Sequence, residues 1–115
     1  MSQDDMPRLV FPYGFDGEDE QEAKLKGWYA AVYAEFEDGK KFSLHFVDSN
    51  RLQHDLSQAV SEGRTCIAEA GMVVVPEVTL NSMQRAFSEL LKGHFFQTLV
   101  PLADEEYSAM YRIIK

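Results

Sequence analysis

The sequence holds few of the residues that define secreted, zinc-binding and membrane-spanning proteins. Cys66 is its single cysteine, so the chain cannot form an internal disulfide or a zinc site built from several cysteines. Aliphatic runs such as residues 72–75 are far shorter than the roughly 20 residues that a membrane-spanning helix needs. The acidic residues 1–5 lack the apolar core of a signal peptide. These features predict a cytoplasmic protein without a membrane partner.

Basic residues are also scarce. The chain has 11 Lys and Arg against 19 Asp and Glu, which gives a formal net charge of -8. A nucleic-acid-binding protein needs a basic surface to displace the counterions around phosphate, so this charge disfavours nucleic acid as a partner. A basic protein partner is compatible with the same charge.

Motifs for cofactors and metals are missing from the sequence. No glycine opens a phosphate-binding loop, and no Gly-x-Ser-x-Gly nucleophile elbow is present. The carboxylates of residues 16–20 lack the spacing and the final bidentate glutamate of a calcium loop. His45 and His54 match no metal-ligand spacing. The sequence therefore predicts no cofactor and no metal, and no motif assigns the chain to a family.

The first part of the chain is predicted to be an irregular arm. Residues 1–27 are punctuated by proline and glycine and turn acidic in their second half. An apolar cluster in residues 9–15 is more than a solvated tail needs, so we expect this cluster to dock on the rest of the protein. We interpret residues 1–115 as a single domain, in which the partly docked arm precedes a core of residues 28–115.

Two strands joined by a tight turn are predicted after the arm. Residues 28–36 and 42–47 carry apolar side chains at alternate positions. A three-residue loop with Gly39 in a left-handed conformation pairs Ala34 with Phe42, and this register keeps charged residues off the apolar face. The apolar face is then predicted to carry Trp28, Ala30, Val32, Ala34, Phe42, Leu44 and Phe46.

Two amphipathic helices are predicted in the second half of the chain. Asp48 or the residue after it caps the first helix, and Gly63 in a left-handed conformation ends it. The buried stripe of this helix is predicted to consist of Leu52, Leu56, Ala59 and Val60. Thr79 caps the second helix, residues 80–92, and Gly93 closes it.

Further strands complete the predicted fold. Residues 65–69 and 72–76 are predicted to form strands around the turn at residues 70–71, and the second strand is apolar enough to be covered on both faces. Residues 94–99 fit a short edge strand or an extended return, and residues 104–115 fit a C-terminal tail helix. This order favours an α+β fold with two layers: a mostly antiparallel, four- to five-stranded sheet and two main helices on one face.

The second face of the predicted hairpin is the main candidate for a binding site. It combines aromatic, hydroxyl and imidazole groups, and aromatic side chains with one polar end are common where proteins meet. The candidates are Tyr29, Tyr33, Ser43, His45 and Val47. Three interpretations stay open: the arm or tail of the protein covers this face, a second copy binds it as a homodimer, or it holds a ligand or another protein.

Other reactive side chains are expected to be inert. His54 is about 200° around the helix from Leu52, so it should face solvent. The helices are expected to dock on the aliphatic face of the hairpin, which would place His45 and His54 on opposite sides of the domain. Cys66 lies in a predicted strand beside Ile67, where a buried, unreactive thiol is the ordinary outcome.

The leading hypothesis is a non-enzymatic protein-binding domain, monomeric or dimeric, that presents an acidic surface to its partner. An inhibitor or neutraliser of a basic toxin or enzyme is one version of this hypothesis. The first alternative is a small enzyme or ligand-binding protein in which His45 acts as acid or base while Tyr29, Tyr33 and Ser43 position the substrate. The second alternative is a subunit of a structural assembly.

Overall fold

The computed structural model describes residues 6–103 and confirms the α+β fold. Strands and helices alternate in it in roughly the predicted order, and the predicted tail helix at residues 104–115 lies outside the described residues. The strands are β1 (Arg8–Val10), β2 (Trp28–Glu35), β3 (Lys41–Val47) and β4 (Met72–Val74). The helices are α1 (Gly17–Lys26), α2 (Ser49–Ser61) and α3 (Leu80–Leu90), followed by a short 3-10 helix, Phe95–Thr98. No helix among residues 6–103 is long and apolar enough to cross a membrane.

The sheet is mixed rather than mostly antiparallel. Its strand order is β1-β2-β3-β4, in which β1 and β3 run antiparallel to β2 while β4 runs parallel to β3. The expected strand at residues 65–69 does not form, so α2 and the irregular segment after it make a crossover that returns the chain in the direction of β3. A single parallel strand therefore replaces the second hairpin that we expected.

Gly71 marks the point where the chain enters the sheet. Its carbonyl oxygen accepts a hydrogen bond from the backbone N–H of His45 at 2.9 Å. Gly71 has a φ of +80°, and a Cβ atom there would collide with the carbonyl oxygen of Ser43. The close approach and the left-handed backbone together require glycine at this position.

The hairpin between β2 and β3 has the predicted turn. The backbone N–H of Phe36 donates to the carbonyl of Lys40 at 3.0 Å, and Gly39 has a φ of +90°. Ala34 pairs with Phe42, as the alternation predicts. Next to the turn, Glu35 and Lys41 form a cross-strand ion pair at 3.9 Å.

A β-bulge between Tyr29 and Val32 changes the register in the first half of β2. On the N-terminal side of the bulge, Trp28 pairs with Val47. The expected partner of Phe46 was Ala30, but Phe46 pairs with Tyr29 instead. An extra residue in one strand reverses the faces of the residues that precede it. The predicted placement of Trp28 on the apolar face is therefore wrong, and Tyr29 takes that place.

The arm is more ordered than predicted. Leu9 is buried and pairs with Ala34, so this part of the apolar cluster lies on the sheet. The acidic stretch, predicted to be irregular, forms α1 instead. Asp16 caps this helix in a capping box with Asp19, and Ala23 is its buried residue. Apolar periodicity could not reveal α1, because caps rather than an apolar stripe define the helix.

Helices pack on both faces of the sheet. Ala23 of α1 and Met83 and Phe87 of α3 join the core cluster that contains Leu44 and Phe46 of β3. Two helices therefore lie on one face, as expected, but α1 is one of them in place of α2.

The helix α2 lies on the opposite face of the sheet. The guanidinium carbon of Arg51 is 5.9 Å from the centre of the Trp28 ring, and Leu52 lines a cavity together with His45. The predicted stripe of α2 is only partly buried, since Ala59 is enclosed while 41% of Leu56 and 57% of Val60 are exposed. Our placement of α2 on the aliphatic face is wrong, because the contacts of the helix are with Trp28 and His45 on the other face.

The ends of α2 and α3 test the predicted caps. Asp48 caps α2 and Thr79 caps α3, both through side-chain oxygens that accept backbone N–H groups. Gly63 follows α2 with the predicted left-handed φ of +90°. Gly93 was expected to close α3 in the same way, but its φ is not positive.

Two further expectations for the second half of the chain are wrong. Val74 is 50% exposed, so β4 is not covered on both faces. Residues 94–99 form a 3-10 turn rather than an extended strand. The turn brings Phe96 within 5.1 Å of Phe36 and 5.9 Å of Phe87, measured between ring centres. The compact turn thus packs a partly buried aromatic ring against the core.

Candidate functional site

The bulge separates the five predicted binding residues. Tyr33 and Val47 are buried, Ser43 is exposed and His45 is half-buried. Tyr33 pairs with Ser43 across the hairpin. Tyr29 lies on the other face, among the partly buried residues that pack on the core. The structure therefore does not bring Tyr29 together with the other four side chains.

Tyr29 packs against the N-terminal arm. Its ring centre lies 4.8 Å from that of Phe15 and 6.1 Å from that of Phe11. Its hydroxyl donates a long hydrogen bond of 3.5 Å to the carbonyl oxygen of Gly14. Burial raises the pKa of the Tyr29 phenol above 10.0, and the negative charge of Asp19 raises it further.

His45 borders a small cavity of about 200 Å³ between α2 and the segment that follows it. Its Nδ1 atom is 2.9 Å from Oε1 of Glu69. The other charged residues of the cavity also have partners, since Asp55 pairs with Arg51, and Arg64 pairs with Glu62. Of these pairs, His45–Glu69 joins the irregular segment to the sheet and the other two are local, so we interpret the cavity as a structural feature.

His54 and the single cysteine are accessible to solvent. His54 is exposed, as predicted. Cys66 is also exposed, and its predicted burial is wrong because residues 65–69 form no strand. Within residues 6–103, no group of three His, Cys, Asp or Glu side chains is arranged to hold a metal ion.

A hollow with aromatic walls lies between α1 and the bulged half of β2. We call it the α1–β2 recess, and its volume is about 620 Å³. Its walls and rim are formed by Tyr13, Asp19, Glu22, Lys26, Trp28 and Tyr29. Its floor is formed by three alanines, Ala23, Ala30 and Ala31. The recess exists because small residues stand at the bulge while an aromatic residue stands on either side of the strand.

The ammonium of Lys26 lies against the aromatic wall of the recess. The Nζ atom of Lys26 is 5.5 Å from the centre of the Trp28 ring and 3.4 Å from the carboxylate of Glu22. A ring with a cation over its face has a favourable electrostatic contact. Two carboxylates, Asp19 and Glu22, face the single ammonium of Lys26, so the lining of the recess is negative overall.

Other charged residues of α1 hold the helix in place. A carboxylate oxygen of Glu20 accepts a hydrogen bond of 2.6 Å from the backbone N–H of Leu80, at the start of α3. Lys24 lies 4.0 Å from Glu77, in the segment before α3. The helix that forms one wall of the recess is therefore tied to the rest of the core.

Sequence reasoning missed this recess because residues 16–22 were interpreted as part of an irregular arm rather than as a helix. One signal in the sequence could have revealed the helix. Asp16 and Asp19 have the spacing of an N-cap residue and the side chain that completes its capping box. The sequence carries no comparable signal for the β-bulge that shapes the floor of the α1–β2 recess.

Comparison with known proteins gives no family: no family model, no curated protein and no solved structure matches the sequence. The function must therefore be argued from the chemistry of the recess.

Proposed function

We propose that this protein is a non-enzymatic binding domain that holds a basic segment of a partner protein in the α1–β2 recess. The observation that carries the proposal is the pairing of an aromatic wall with two rim carboxylates, Asp19 and Glu22, in a hollow of about 620 Å³. Aromatic side chains are enriched at the centres of protein interfaces. Carboxylates select a cationic partner and repel an anionic one.

The acidic surface extends from the recess along α1. Glu18, Asp19 and Glu20 occupy the first turn of this helix, where the helix dipole favours negative charge. The whole chain has a net charge of -8, so a basic partner is attracted before contact is made. An inhibitor or neutraliser of a basic protein would use such a surface.

The same charge argues against self-association through α1. A second copy brings an equal negative charge, and like charges across an interface are unfavourable. If the protein forms a homodimer, we expect another face to be used. Light scattering should then give the same molecular mass for wild type and for α1 variants.

Nucleic acid and anionic membranes are disfavoured as partners because of the same negative charge. We place the proposed function in the cytoplasm, since the single cysteine gives no disulfide.

The proposal is tested with two matched charge variants. Glu18→Gln with Glu22→Gln removes two charges from α1, and Glu37→Gln with Glu89→Gln removes two charges from exposed sites elsewhere. Each tagged protein is used to capture partners from a cytoplasmic extract at low and high salt. A captured protein is identified by mass spectrometry and purified, and its dissociation constant is measured.

We expect to capture a partner that carries a basic segment. Its binding should be lost at high salt, because salt screens the electrostatic attraction. The α1 variant should bind this partner about threefold to tenfold more weakly, while the control variant stays close to wild type. Equal losses in the two variants, or no partner at either salt concentration, would overturn the proposal.

A further inference from the structure

We propose that the α1–β2 recess receives an arginine side chain of the partner, and that Lys26 occupies its place until the partner binds. This inference rests on the proposed function and specifies the chemistry of the bound group. The occupied state is visible in the structure, where the Lys26 ammonium lies over Trp28 and pairs with Glu22.

Lys26 is held loosely enough to leave. Half of its side chain is exposed, and its partner Glu22 is 65% exposed. An exposed ion pair of this kind contributes at most about 1 kcal/mol. The last residue of α1 can therefore swing its ammonium into solvent without disturbing the helix.

An arginine fits the vacated space better than a lysine does. A guanidinium is planar, so it stacks on an aromatic ring while its N–H groups reach carboxylates in the plane. The recess offers Trp28 as the ring, with Asp19 and Glu22 at the rim. The guanidinium of Arg51, 5.9 Å from the same ring, shows that Trp28 accepts this group. The volume lies within the range of about 300–1,000 Å³ that is typical of ligand pockets.

Competition between Lys26 and the incoming arginine gives a measurable consequence. Removing Lys26 should strengthen binding, both because its charge is lost and because the place that its ammonium takes beside the Trp28 ring becomes free. Removing Lys24, on the same helix, changes the charge equally and takes no group from the lining of the recess; it gives up only a long, exposed contact of 4.0 Å with Glu77. Lys24→Gln is therefore the matched control for Lys26→Gln.

Trp28 is the only tryptophan of the chain, so its fluorescence reports on the recess directly. The probe is the peptide acetyl-Gly-Arg-Gly-amide, titrated against the full-length protein. The same peptide with citrulline keeps the shape but lacks the charge, and a peptide with lysine tests the planar geometry. Amide chemical shifts of Ala23, Ala30 and Ala31 locate binding independently of fluorescence.

We expect the arginine peptide to give a saturable change in fluorescence and in the floor amides, with weaker binding of the lysine peptide and none of the citrulline peptide. Lys26→Gln should bind the arginine peptide about twofold to fivefold more tightly than Lys24→Gln does. Equal affinity of these two variants, or equal binding of arginine and citrulline, would overturn this inference.

The two proposals fail in different ways. The first outcome is a captured partner whose binding depends on the α1 carboxylates, with equal binding of the arginine peptide by the Lys26 and Lys24 variants. This outcome would support the proposed function and rule out the arginine site. Binding of the arginine peptide in the recess without any captured partner supports the site and counts against the proposed function.

Discussion

Tyr29 shows how the surroundings of one side chain set its chemistry. Its ring packs against Phe15, and its hydroxyl lies near the charge of Asp19. Burial and this charge both disfavour the phenolate, so its pKa in the folded protein lies above 10.0. A group with a raised pKa stabilises the fold fully below its unfolded pKa, and this contribution is lost as pH rises toward the folded pKa.

Replacing Tyr29 by Phe should therefore flatten the alkaline end of the stability profile. Wild type should lose more stability than Tyr29→Phe between about pH 9 and pH 11, because only wild type must ionise this partly buried phenol. Urea unfolding at a series of pH values measures the difference. Parallel profiles for the two proteins would show that the phenol is not perturbed.

The alternation of apolar residues along β2 predicted the cross-strand pairs correctly between the bulge and the turn. It predicted them wrongly on the N-terminal side of the bulge. The pairing of Ala34 with Phe42 follows from the turn, because a short loop fixes the register locally. The bulge inserts one residue among small side chains, Ala30 and Ala31, and nothing in their pattern announces it. Trp28 and Tyr29 therefore exchange faces, and the predicted Tyr29–His45 site is not assembled.

At the scale of single elements, α1 is stabilised at its ends rather than along its length. Asp16 caps its first turn, and Gly27 ends it with a φ of +79°. Glu20 reaches across to cap α3 through the backbone N–H of Leu80. One carboxylate thus satisfies an unpaired donor of a second helix and fixes the position of the first.

We expect Glu20→Ala to lower the free energy of unfolding by about 1 kcal/mol, because it leaves the backbone N–H of Leu80 without its acceptor while Thr79 still caps the helix. Glu20→Gln keeps an acceptor oxygen and should cost less. Glu18→Ala removes a charge from the same turn without touching α3, so it should change stability by only a few tenths of a kcal/mol. Urea denaturation measures all three variants, and equal losses for Glu18→Ala and Glu20→Ala would contradict this role.

Helices with an apolar stripe and a clear cap were predicted from sequence, and α1 was not. Asp48 and Thr79 mark the starts of α2 and α3 because a capping oxygen stands just before an amphipathic pattern. The sheet face that α2 covers depends on contacts far along the chain. Local patterning could not give this information, which is why α2 was placed on the wrong side.

At the scale of the whole molecule, the order of strands and helices was enough to predict the α+β class. The direction of β4 was not predictable, because it depends on how Gly71 meets β3. The His45 backbone N–H bonds to Gly71 and leads the chain into parallel pairing. A glycine between apolar runs looks the same in sequence whether it closes a hairpin or enters a sheet.

Joining β4 to β3 in parallel has a consequence for the rate at which the chain folds. The β2–β3 hairpin closes a loop of a few residues, whereas β4 must wait until residues 48–71 have been folded back, at a larger entropic cost. Stopped-flow kinetics of two matched Val→Ala variants, at buried Val32 in β2 and Val73 in β4, report the order of these events. Val32→Ala should mainly slow refolding, and Val73→Ala should mainly accelerate unfolding. The opposite result would mean that the crossover, and not the hairpin, nucleates the protein.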